Sequence, residues 1–133
     1  MTRRSFLFNS LGTIAAFSLT FIGCREKVSS KTTALYLPEL LSSLVDEKTI
    51  REIGMAYISL APNQTTNTYL ISLLMTDSNG KKLSNTASAS TIRSELGKKI
   101  VADFKKGNYL FIDGWVISET EAQQCALFSL SQK

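Results

Sequence analysis

The chain has 133 residues, with 15 Lys and Arg against 11 Asp and Glu, and a formal net charge of +4. So small a charge does not favour nucleic-acid binding, for which a strongly basic surface is typical. The chain contains no His, which excludes His metal ligands and the nucleophile pairs that need an imidazole. The two cysteines, Cys24 and Cys125, form no Cys-x-x-Cys motif, so a thiolate zinc site is excluded as well. We therefore expect that the protein binds no metal and no other cofactor, and that it is not an enzyme.

The first 24 residues resemble a bacterial export signal. Arg3 and Arg4 precede a short apolar stretch, with Phe6 and Leu7 close behind them. This arrangement is similar to the twin-arginine (Tat) signal, whose pattern is Ser/Thr-Arg-Arg-x-Phe-Leu. The stretch is shorter and more polar than the ~20 apolar residues of a spanning helix. An ordinary secretory signal that carries two arginines is the alternative.

The apolar stretch ends in Phe-Ile-Gly-Cys at residues 21–24, which resembles a bacterial lipobox with Cys24 as the lipidated residue. The resemblance implies a signal peptide at 1–23, a polar tether at 24–33 and a small helical domain at 34–133. The protein would then be an exported, membrane-anchored lipoprotein of the bacterial periplasm or cell envelope. The alternative is plain cleavage nearby, which would leave Cys24 as a free thiol.

Apolar spacing and capping residues predict three short helices in the first half of the domain. Pro38 suits the first turn of the first helix. Asp46 is the predicted N-cap of the second, which continues to Leu60, and Gly54 weakens it but would allow close packing of a neighbour. The third spans about residues 66–75. The predicted apolar faces are Leu40, Leu41, Leu44 and Val45; Ile50, Ile53, Tyr57 and Leu60; and Tyr69, Leu70, Leu73 and Leu74.

A polar loop over residues 77–90 leads to a fourth predicted helix, from near Thr91 to the C-terminal cap residue Gly107. Its apolar residues recur at every fourth position. Its second half is rich in lysine, which we interpret as a solvated face rather than a patch for phosphate or lipid headgroups. The apolar residues are Ile92, Leu96, Ile100 and Phe104, and the lysines are Lys98, Lys99, Lys105 and Lys106.

Two apolar runs flank Asp113-Gly114, the pair typical of a tight β-hairpin turn. Ser118-Glu119-Thr120-Glu121 then forms a capping box that opens a last helix, which ends near Leu130. Its predicted inner face contains Ala122, Cys125, Ala126 and Phe128, and Cys125 is expected to be a buried thiol. The chain is therefore predicted to be mostly α, a small helical bundle of four or five short helices with one β-hairpin.

Three aromatic residues of the hairpin, Tyr109, Phe111 and Trp115, are candidates for contact with a protein partner. Trp115 also has a second interpretation, as the residue that fills the core of a small domain. The paired carboxylates, Asp46 with Glu47 and Glu119 with Glu121, lie at helix starts, where negative charge is favoured. We interpret both pairs as helix caps rather than as a catalytic dyad.

The stretch Gly-Trp-Val-Ile-Ser-Glu-Thr-Glu-Ala at residues 114–122, followed by Ala-Leu-Phe at 126–128, is similar to the late segment of small subunits of membrane-bound flavin dehydrogenases of the sorbitol and fructose type. Those subunits also carry a twin-arginine signal and a helical body. The resemblance implies a non-catalytic accessory subunit of a cofactor-bearing oxidoreductase, with an exported large subunit as its partner. The alternative is a stand-alone structural or scaffolding envelope lipoprotein.

Overall fold

The computed structural model describes residues 33–131. The predicted signal and lipidation residues lie outside this range: Arg3, Arg4, Phe6, Leu7 and Cys24. The chain is helical over residues 33–36, and the elements that follow are α1 (Glu39–Leu44), α2 (Glu47–Leu60), a 3-10 turn (Pro62–Gln64), α3 (Asn67–Leu74), α4 (Ala89–Lys106), β1 (Tyr109–Ile112), β2 (Trp115–Ser118) and α5 (Glu119–Ser131). This order confirms the predicted bundle of short helices with one hairpin.

Side chains of small polar residues fix where the helices begin. The Asp46 carboxylate accepts from the backbone N–H of Thr49 at 2.9 Å, as expected for an N-cap. The hydroxyl oxygen of Ser88 likewise accepts from the backbone N–H of Thr91 at 3.2 Å. Because Ser88 is the cap, α4 begins at Ala89, two residues before the predicted start.

The hairpin has the register that the Asp-Gly turn implies. Phe111 pairs with Val116 and Ile112 with Trp115 in an antiparallel ladder. Asp113 and Gly114 both have positive φ angles, 50° and 85°. These angles define the turn type that matches the twist of the two strands.

The C-terminal helix α5 contacts α2, α3, α4 and both strands. Every residue from Thr120 to Ser129 is buried, on all sides of the helix. One side of α5 joins an apolar cluster with α2 and the hairpin, and another joins a cluster with α3 and α4. The contributions of α5 are Ala122, Cys125 and Phe128 to the first cluster, and Ala126 and Leu127 to the second.

Gly54 permits the close crossing of α2 and α5. A methyl group built on its Cα would overlap the carbonyl group of Cys125 and lie 2.8 Å from the backbone nitrogen of Ala126. Only a residue without a Cβ fits this crossing. The close packing that the sequence suggested for Gly54 is therefore confirmed.

Three leucines that the sequence placed on inner faces are exposed instead. Leu40 and Leu44 of α1 and Leu60 at the end of α2 all have about two thirds of their surface in solvent. α1 has only six residues, fewer than two turns, and buries a single one, Leu41; no neighbouring element of the described chain covers its other two leucines. Ser129 shows the opposite difference: it is a polar residue that interrupts the apolar stripe of α5, and it is nevertheless buried.

None of the helices within residues 33–131 combines the length and the apolar character that crossing a membrane requires.

We predict that Gly54→Ala lowers the free energy of unfolding by about 1–3 kcal/mol, because the added methyl group must push two helix backbones apart. Gly97→Ala is the matched control. Gly97 also lies inside a helix, but no atom lies within 4 Å of a Cβ built there, so this change should raise stability by about 0.5–1 kcal/mol through helix propensity. Urea unfolding monitored by circular dichroism measures both changes. Equal effects of the two substitutions would contradict the close crossing.

Candidate functional site

The outer face of the hairpin is exposed and apolar. Tyr109 and Phe111 alternate with the more buried Leu110 and Ile112 along β1, so they point away from the core. Phe111 has 76% of its surface in solvent, the largest exposed fraction among the exposed large apolar residues of the described chain. Its cross-strand neighbour Val116 is also exposed.

A third aromatic residue extends this face onto α4. The ring of Phe104 stacks on that of Tyr109 with 6.1 Å between centroids. Tyr109 in turn meets Phe111 edge to face at 5.9 Å. We call Phe104, Tyr109 and Phe111 the aromatic row. The sequence reasoning missed Phe104 because it continues the apolar stripe of α4 and was assigned to the core.

Trp115 does not belong to the aromatic row. It pairs with the buried Ile112, and both lie on the face of the hairpin opposite Phe111. Trp115 is half-buried and packs against the apolar cluster formed with α2 and α5. The structure therefore separates the three predicted contact residues. Tyr109 and Phe111 face outward, whereas Trp115 is half-buried and packs against the core, which is closer to its second interpretation.

Hydrogen bonds hold the row to the body of the protein. The Asp103 carboxylate, on α4, accepts from the backbone N–H of Thr120 at 2.8 Å and from its hydroxyl group at 2.6 Å. It thereby satisfies donors at the start of α5, where a negative charge is also favoured by the helix dipole. The backbone N–H of Glu119 donates to the carbonyl of Asn108 at 3.0 Å. The end of α4, the hairpin and the start of α5 are thus fastened together.

The predicted capping box at the start of α5 is confirmed. The Glu121 carboxylate accepts from the Ser118 backbone N–H at 3.0 Å and from its hydroxyl group at 2.9 Å. The Ser118 hydroxyl oxygen accepts from the Glu121 backbone N–H at 3.1 Å. At the start of α2, hydrogen bonds from Thr49 lower the pKa of the Asp46 carboxyl group. One carboxylate of each predicted pair is therefore a helix cap.

The lysines of α4 divide into solvated and structural groups. Lys105 and Lys106 are exposed, and Lys98 pairs with Glu95 at 2.9 Å. Lys99 is half-buried, and its ammonium group donates to the carbonyl of Leu73 at 2.6 Å, near the end of α3. Burial lowers the pKa of Lys99. Lys99 thus connects two helices, and the solvated face contains the other three.

The thiol of Cys125 is held neutral. Cys125 lies at the crossing with α2 and has no exposed surface. Burial, with a smaller contribution from the negative charge of Glu121, raises its pKa to about 12. A thiol that stays protonated is a poor nucleophile, and the predicted buried position is confirmed.

Within residues 33–131, no group of three or more His, Cys, Asp or Glu side chains is arranged to hold a metal ion.

We predict that Cys125 resists thiol reagents at pH 8 in the native protein and reacts in denaturant, in a chain in which Cys24→Ser removes the other thiol. The free energy of unfolding should be independent of Cys125 below pH 9. It should then fall by up to about 1.4 kcal/mol per pH unit between pH 9 and 12, where the unfolded chain loses a proton that the folded chain retains.

The control for this titration is Cys125→Ala, which should show a shallower decrease over the same range. The free energy of unfolding of Cys125→Ala should still decrease, because burial also raises the pKa of Tyr57. The folded chain then retains a proton that the unfolded chain loses, as it does at Cys125. Rapid labelling of the native protein, or identical slopes for both proteins, would contradict the assignment.

Comparison of the chain with protein-family models, with curated proteins and with solved structures gives no match in any of the three.

Proposed function

We propose that the protein is an exported, membrane-tethered and non-catalytic accessory subunit, which binds a cofactor-bearing oxidoreductase through the aromatic row. The observation that carries the proposal is the exposure of Phe111 on the outer face of the hairpin, beside Tyr109. Aromatic residues are enriched in the buried centres of protein interfaces. An isolated exposed ring needs no explanation, but three rings in a row, with Tyr109 in contact with both Phe104 and Phe111, form a patch that a partner can cover.

The chemistry of the described residues supports a binding role. The acidic side chains of Asp46, Asp103 and Glu121 accept hydrogen bonds at helix starts. The Cys125 thiol is buried with a raised pKa. These groups have structural roles in the fold, which agrees with a binding rather than a catalytic function.

The geometry also favours a rigid contact surface. Phe104 lies on α4 and Phe111 on β1, and hydrogen bonds join α4 and Asn108, the residue before β1, to the start of α5. A preorganised surface loses little conformational entropy on binding, which favours affinity.

Export and tethering rest on the amino-terminal sequence. The paired arginines Arg3 and Arg4 and the lipobox-like Cys24 support the proposed location on the outer side of a bacterial cytoplasmic membrane or at the outer membrane. Lipidation of the kind that the lipobox implies adds several acyl chains, and more than one chain is needed for stable anchoring.

We predict that Phe111→Ser reduces recovery of the partner at least about tenfold, because a central aromatic anchor of an interface contributes about 2 kcal/mol or more. The measurement is an affinity pull-down of the full-length, C-terminally tagged protein from solubilised membranes, with mass spectrometry. The free energy of unfolding should change by less than about 0.5 kcal/mol, since the side chain is exposed.

Leu60→Ser is the matched control, because Leu60 is a similarly exposed apolar residue on α2 and lies outside the row. It should leave recovery unchanged. Near-stoichiometric recovery of an oxidoreductase that Phe111→Ser alone abolishes supports the proposal. Recovery of the tagged protein by itself, in mild detergent and at native abundance, would favour a stand-alone structural envelope lipoprotein.

We also predict that the double change Arg3→Lys and Arg4→Lys blocks export, although it keeps both positive charges. A twin-arginine signal is read by a receptor, whereas an ordinary secretory signal requires only charge. Cell fractionation and immunoblotting measure the result. Cys24→Ser should leave export intact and release the protein from the membrane fraction. Normal export of the double-lysine protein would overturn the Tat assignment.

A further inference from the structure

A cavity of about 540 Å³ opens beside the start of α5. The segment around α1 and one side of α4 form its walls, with apolar side chains that include Leu37, Leu96 and Ile100. Its volume lies in the range typical of small-molecule sites. The aromatic row does not contribute to it.

Two buried acceptor groups line this cavity. Glu121 and Gln124 are only 6% and 2% exposed, and both belong to the lining. They are three residues apart on α5, so their side chains lie on the same side of the helix. These two buried side chains therefore form a compact polar spot beside the apolar residues of the lining.

Only the nitrogen of the Gln124 side-chain amide has a hydrogen-bond partner among the described residues. Its Nε2 donates to the carbonyl of Ala34 at 3.1 Å. Its Oε1 is buried and has no hydrogen-bond partner, the only such side-chain atom in the described part of the chain. Buried polar atoms in native proteins almost always have a partner in the protein, in ordered water or in a ligand, so this oxygen has the capacity to accept from a donor outside the chain.

The carboxylate of Glu121 has only neutral donors. Both of its hydrogen bonds come from Ser118, and the ion pairs found among residues 33–131 do not include it. A buried charge without a counter-charge is unfavourable. At the rim, the exposed Glu39 and Arg93 are of opposite sign, so the lining as a whole has one negative charge in excess.

We propose that the cavity binds a primary amine with an apolar body. The ammonium group supplies three N–H donors and one positive charge. It donates to the Glu121 carboxylate in the cavity lining, with Gln124 Oε1 as a second acceptor once that buried side chain turns toward the ligand, while the apolar body lies against Leu37, Leu96 and Ile100. A carboxylate or phosphate ligand would meet two acceptors and a like charge in the same place. The proposal is independent of partner binding by the aromatic row.

The test is calorimetric titration of the full-length chain at pH 7 with hexylamine, and with hexanol and hexanoate as probes of the same length. Hexylamine should bind saturably, and at least tenfold more tightly than either of the others. Chemical-shift changes of the Gln124 side-chain amide should report the same affinity. The absence of hexylamine binding, or equal affinity for hexanoate, would overturn the proposal.

Glu121→Gln is the decisive variant, because glutamine can also serve at this position of a capping box. It removes the charge without removing the cap. It should weaken the binding of hexylamine at least tenfold and leave the binding of hexanol unchanged. Gln123→Met is the matched control, since Gln123 is a buried glutamine of the same helix outside the cavity lining. If Gln123→Met weakened hexylamine as much as Glu121→Gln, the effect would be a general loosening of α5 and the assignment would fail.

Discussion

The close crossing of α2 and α5 is the contact on which the rest of the structure depends. Because Gly54 has no side chain, the two backbones meet at Cys125 and Ala126. The apolar residues that flank this crossing, Ile50 and Ile53 on α2, are completely buried. Dispersion and hydrophobic contacts are strongest where surfaces fit without voids, so α5 becomes the element around which α3, α4 and the hairpin can pack.

Because α5 is buried on all sides, its polar groups need hydrogen-bond partners within the protein, and the surrounding elements provide them. Its first turn offers unpaired N–H groups, and these are satisfied by Asp103 from α4 and by Ser118 from the hairpin. Farther along, Gln124 donates to Ala34 and so joins the beginning of the described chain to its end. Each of these hydrogen bonds also fixes the position of a neighbouring element. The same contacts therefore satisfy the buried polar groups of α5 and set the arrangement of the elements around it.

The two proposed sites follow from this arrangement. The aromatic row is held in position because hydrogen bonds join α4 and the residue before β1 to the start of α5. The cavity has its polar spot because Glu121 and Gln124 come from the same helix and are buried beside an apolar wall. A protein partner would cover the row, whereas the cavity is shaped for a small molecule, so the two sites can be tested separately.

Local features of the structure were predictable from the sequence, because they depend on residues close together in the chain. The cap at Asp46, the turn at Asp113-Gly114 and the capping box at Ser118 are all confirmed, since each involves side chains and backbone groups within three or four positions. The helical class with one hairpin followed from the same signals and from the spacing of the apolar residues. Exposure of Tyr109, Phe111 and Trp115 was expected only as a consequence of the proposed partner contact, and Trp115 does not share it.

Only the tertiary structure decided which residues of each apolar stripe are buried. Leu40, Leu44 and Leu60 have the right spacing, but no neighbouring element covers them. Gln124 and Ser129 have polar side chains, yet other helices surround them. The placement of Phe104 beside Tyr109, and of Trp115 in the core, likewise depends on how the hairpin lies against α4 and α5. The sequence by itself determined the main elements and the caps at Asp46 and Ser118 through local hydrogen bonding, and long-range packing determined which side chains face solvent, the cavity or the core.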